Sequence, residues 1–133
     1  MAGRKGKMGN GTNEEKPYDI GERTFLFGVR VVRLVGQLPR TVAGYAIGRQ
    51  VVRAGTSVGA NVEEADAAES KRAFIHKMAI ARKEAKETRF WLRIILKTPL
   101  LDIPEAHALL QESDELIRIL SAIIITAKKK PQF

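Results

Sequence analysis

The chain has 133 residues, 44% hydrophobic but only 6% aromatic, a length that fits one domain with a single, mostly aliphatic core. It has no cysteine, which excludes disulfides and thiolate metal sites, and no run approaches the roughly 18 apolar residues of a membrane span. A net charge of +8 and a pI near 10 favour polyanionic partners, nucleic acid before anionic membrane.

Residues 1–20 are rich in Gly, Lys, Asn and Glu and lack a hydrophobic period, so they read as a flexible basic tail. The basic start has no apolar stretch behind it, which argues against a secretory signal and for a soluble cytoplasmic protein. Residues 21–133 are expected to form one bundle domain, cut by Pro and Gly into four segments of helical period.

The first helix is predicted over Glu22 to Leu38, ahead of Pro39, with Phe27, Val31, Leu34 and Leu38 on one face. Gly28 and Gly36 each weaken it by roughly 1 kcal/mol relative to Ala, so packing must hold it. The second is predicted over Tyr45 to Glu69, with Ile47, Val51, Val58, Val62 and Ala65 as its stripe. Gly55 and Gly59, one turn apart, fit either close approach of a neighbouring helix or a local kink.

The third helix is predicted from the N-cap Ser70 to Lys97. Phe74, Met78, Ala81, Ala85, Thr88, Leu92 and Ile95 alternate in steps of four and three, a seam of roughly 40 Å. The fourth begins near Pro104 and ends in Lys128, Lys129 and Lys130. Leu109, Leu116, Leu120, Ile123 and Ala127 make one stripe, and Leu110, Ile117 and Ile124 a second beside it. Together they are wider than one core needs, so Leu110, Ile117 and Ile124 are expected to meet another copy of the chain. Four helices, short connections and no strand signal give an all-α, up-and-down antiparallel bundle.

The polar pattern is equally regular. Gln50, Arg53, Ser57, Asn61 and Glu64 share one face of the second helix, and Lys77, Glu84 and Glu87 share one face of the third. These residues fit either an active site in the bundle or a network that fixes helix register, and the second reading is preferred. No nucleophile with a positioned base is visible, so an enzyme is not expected. No metal or other cofactor is expected: neither His76 nor His107 has the Glu three residues earlier that di-iron bundles use. The stretch G-T-S-V-G at Gly55–Gly59 lacks the Lys of a phosphate-binding loop.

The third helix carries nine Lys or Arg against Glu84 and Glu87. Arg82, Lys86, Arg89, Arg93 and Lys97 form a ridge able to follow a phosphate backbone, with Arg30 and Arg33 of the first helix assisting. The plainer reading is a solvated face whose Arg stems cover apolar surface.

The stretch Gln50 to Leu92 resembles the family of four-helix bundles encoded by intervening sequences within bacterial 23S rRNA genes. The matching pieces are Gln50-x-x-Arg53, Thr56-Ser57-x-Gly59-Ala60-Asn61-x-Glu63-Glu64-Ala65, Ser70, Phe74-Ile75-x-Lys77, Lys83-Glu84-x-x-Glu87-Thr88 and Trp91-Leu92. The likeness runs from about Thr24 to Lys128 and is most specific in the second and third helices. It implies a ring-like homopentamer with nucleic acid as ligand. It also implies kinship with the accessory proteins of diversity-generating retroelements, pentamers that bind a reverse transcriptase and its RNA. The family has no established catalytic residues, and its name records a genomic location, not a reaction. The leading expectation is therefore a homo-oligomeric bundle that binds RNA or DNA largely without regard to sequence. The alternative is a protein–protein scaffold or accessory subunit for a nucleic-acid enzyme such as a reverse transcriptase.

Overall fold

A computed structural model describes residues 19–131, and most of the expected tail falls outside them. They contain four helices and no strand: α1 (Ile20–Val35), α2 (Val42–Asp66), α3 (Lys71–Lys97) and α4 (Pro104–Lys129). The helix starts follow local chemistry. Asp19, Thr41 and Ser70 each accept a hydrogen bond from a backbone N–H in the first turn, donated by Glu22, Gly44 and Ala73. Pro104 opens α4, where a missing N–H costs nothing. Relative to expectation, α1 and α2 begin and end earlier. Gly36 turns the chain before Leu38, and the Thr41 cap starts α2 at Val42.

Each helix packs on its neighbours in sequence, and α4 closes back on α1. The cross-helix pairs run in opposite directions along the chain, as in Arg23–Glu112 with Arg30–Glu105, and Arg53–Glu87 with Glu64–Lys77. The bundle is therefore up-and-down and antiparallel. Its core holds Phe27, Val31 and Leu34 from α1, Val51, Val58 and Val62 from α2, Met78, Leu92 and Ile95 from α3, and Leu109, Leu116 and Leu120 from α4. Buried Thr24, Thr88 and Ser113 donate their hydroxyl protons to carbonyls one turn back in their own helices.

The two readings of the Gly55–Gly59 pair separate here. α2 continues unbroken through both, and both face α1 at close range. A Cβ on Gly55 would lie 2.8 Å from a methyl of Val31, and one on Gly59 would lie 3.1 Å from the Thr24 carbonyl. Close approach is the reason for these glycines.

The second stripe of α4 divides: Ile124 is buried within the chain, which corrects its expected place between copies, while Leu110 and Ile117 remain partly exposed. Ile124 is only 2% exposed, in the core, and Leu110 and Ile117 are half-buried against it. Leu110 and Ile117 share a helical row with Asp114 and Ser121, which contact α3. Ile119 shares a row with Glu105 and Glu112, which contact α1. A helix with two lateral neighbours needs two stripes. The larger exposed apolar side chains lie mainly on α1 and α2: Phe25, Leu26, Val32, Val42 and Tyr45.

Candidate nucleic-acid interface

The polar faces of α2 and α3 meet. Arg53 reaches between Glu84, at 3.3 Å, and Glu87, and the indole N–H of Trp91 donates to Glu87 at 3.1 Å. One turn or more away, Lys77 pairs with Glu64 at 2.7 Å. Of the other expected network residues, Ser57 donates to the Arg53 carbonyl and Asn61 to the Ser57 carbonyl, both within α2, while Gln50 lies exposed at the margin. Both glutamates of α3 that face α2 thus share one cation, Arg53.

A second charged seam, not anticipated from sequence, joins α1 to α4. Arg23 forks onto Glu112 at 2.7 and 2.9 Å and reaches Glu115 at 2.6 Å. Arg30 pairs with Glu105 at 2.7 Å. That hydrogen bond raises the pKa of the Arg30 guanidinium and holds the Glu105 carboxyl below its ordinary value. Arg30 is therefore engaged with α4 and does not join the α3 ridge. Arg33 is exposed but borders a groove between α1 and α2, and α1 lies diagonally across the bundle from α3.

The ridge itself is narrower than its spacing suggested, and displaced. Arg82 donates to the Ser121 hydroxyl at 3.3 Å, and Arg89 pairs with Asp114 at 2.9 Å, so both lean onto α4. Lys86, Arg93 and Lys97 remain exposed and have no ion-pair partner among the described residues. Lys83 and Phe90 complete the row: Lys83, Lys86, Phe90, Arg93 and Lys97 succeed one another by 3, 4, 3 and 4 residues. That spacing was available in the sequence. What hid it was the cross-helix register that turns Arg82 and Arg89 toward α4, which one helix cannot reveal. No acidic residue lies on the row, because Glu84 and Glu87 face α2. Its aromatic member is 49% exposed and borders a shallow depression lined also by Arg93, Ile94, Leu96, Lys97 and Leu110.

The groove between α1 and α2, about 870 Å³, has an apolar floor that includes Phe25, Val29, Val32 and Ala60. Asp19, Glu22, Glu63 and Asp66 line one end of it. Among the described residues no group of three or more His, Asp or Glu could hold a metal ion, and no helix is long and apolar enough to cross a membrane. His107 is exposed and contacts Asp102 at 2.8 Å, and His76 is exposed.

These observations define a four-helix protein with ion-paired helix seams and an acid-free cationic row on α3. The chain belongs to the 23S rRNA-intervening sequence protein family, whose model matches residues 16–122. It is similar to the crystal structure of a protein with unknown function from the S23 ribosomal protein family of Bacteroides thetaiotaomicron VPI-5482. The two are 34% identical with a TM-score of 0.74, over 79% of this chain and 97% of that one. No curated protein matches the chain.

Proposed function

We propose that this chain is a non-enzymatic, homo-oligomeric bundle of the cytoplasm that binds RNA or DNA through phosphate contacts along α3. The observation that carries this reading is the row Lys83, Lys86, Arg93 and Lys97, exposed and free of acids on a helix whose Lys77, Glu84, Glu87 and Arg89 are ion-paired to neighbouring helices. Cations held in register on a rigid helix meet successive phosphates and release their counterions, with no base-reading element required. The absence of a nucleophile beside a base, among the described residues, favours binding over catalysis.

Assembly multiplies the effect. Self-association would bury the α1–α2 groove, where Phe25 is 61% and Val32 49% exposed, instead of the α4 stripe. The family likeness favours a ring of five, in which each copy repeats the cationic row and modest contacts add by avidity. Replacing Lys86, Arg93 and Lys97 together by Glu tests the binding reading. Affinity for an RNA or DNA oligonucleotide is expected to fall by more than about tenfold at low salt, while helix content stays the same. Unchanged affinity would remove α3 as the interface.

A further inference from the structure

Phe90 needs its own explanation, because a large aromatic side chain left half-exposed between two pairs of cations is not covering core. It stands in the middle of the row, with Lys83 and Lys86 one to two turns before it and Arg93 and Lys97 one to two turns after. At 1.5 Å of rise per residue, the flanking cations Lys86 and Arg93 are separated by roughly 10 Å along the axis. The ring is also braced. Trp91 meets it edge-on, with ring centroids 5.1 Å apart and planes at 75°. Trp91 is held in turn by Glu87, and Glu87 by Arg53 of α2. The α2–α3 polar network thus ends on an aromatic pair at the cationic surface.

On the reading that α3 binds nucleic acid, we infer that Phe90 is a stacking platform for an unpaired base and that the natural ligand is single-stranded, or has an unpaired loop. Base faces within a duplex are occupied by their neighbours, and exposing one costs a few kcal/mol. A duplex can therefore offer the row only phosphates. A single strand offers phosphates to Lys83, Lys86, Arg93 and Lys97 and a base to Phe90 at once. The combination of a cationic track with an aromatic face is the usual means of sequence-tolerant single-strand binding.

The chain contains one tryptophan, and it lies against Phe90. Trp91 fluorescence in the full-length protein therefore reports directly on occupation of the platform. Oligothymidylate, oligouridylate and a duplex of equal length are titrated against wild type and Phe90→Leu, with mass followed by light scattering. The expected result is quenching of Trp91 by the single strands only. Phe90→Leu should bind the single strands roughly tenfold more weakly and the duplex as wild type does, while Phe90→Trp should keep single-strand affinity. Equal single-strand affinity of wild type and Phe90→Leu overturns the platform while leaving the phosphate row intact. A drop in mass for Phe90→Leu also overturns it, because a second copy of the chain then covers the ring. If wild type binds neither single strand nor duplex, the functional proposal itself fails.

Discussion

Along α2, helix α1 lies nearly backbone against backbone at Gly55 and Gly59, whereas along α4 it is held by Arg23 and Arg30 reaching across to glutamates. The glycine seam gives up helix propensity, roughly 1 kcal/mol per Gly, in exchange for dense contact between chains of atoms. The ion-paired seam keeps good helix formers but leaves its charges partly in water, with side chains about a third exposed. Solvent screening then limits each pair to a small contribution. The comparison teaches that residues with little visible chemistry can matter more to the fold than the conspicuous ion pairs.

The sharpest way to break that comparison is Gly55→Ala. The new Cβ would meet buried, β-branched Val31 at 2.8 to 3.0 Å, so α1 and α2 must part or Val31 must distort. Overpacking of this kind costs typically about 1–3 kcal/mol, against which the gain in helix propensity is at most about 1 kcal/mol. Denaturant unfolding should show a net loss, and a gain would mean that the seam is looser than described.

Removing an ion pair on the other side should do less. Glu105→Gln is expected to lower stability by under about 1 kcal/mol at neutral pH. Because Arg30 depresses the folded-state pKa of Glu105, the pair's contribution is complete above the unfolded value of about 4.3 and disappears as pH falls through the lowered folded value. The stability difference between wild type and Glu105→Gln should accordingly shrink in acid. A difference that grew on acidification would contradict the assignment.

The smallest effect, of opposite sign, belongs to Gly21→Ala. Gly21 lies in the first turn of α1, is exposed, and a Cβ there would have nothing within 4 Å. Ala should stabilise by a few tenths of a kcal/mol, since only helix propensity changes. The contrast between Gly21→Ala and Gly55→Ala isolates the seam from the intrinsic cost of glycine.

Much of this was legible in the chain. The Met78–Ile95 seam of α3 follows its own spacing into the core, and Ser70 marks a helix start by capping as Pro104 does by its fixed φ and missing N–H. What one helix cannot encode is which neighbour each of its faces meets. Ile124, in the second stripe of α4, turns into the core because α3 and α1 each flank the helix. Arg82 and Arg89 looked equivalent to Lys86 and Arg93 because Ser121 and Asp114 lie on another helix, more than twenty residues away in sequence. The α1–α4 ion pairs escaped notice for the same reason: Arg30 and Glu105 are 75 residues apart.

The claim on which the functional account stands is that α3 binds phosphates through an exposed cationic row, and the salt dependence of polynucleotide affinity tests it most directly. For a single strand, four cations per copy predict that log affinity falls against log salt with a slope of roughly −3 for one engaged subunit, and more steeply when several engage. A steep slope that flattens in the variant with Glu at Lys86, Arg93 and Lys97 is the predicted result. A slope near zero in the wild-type protein would contradict the account.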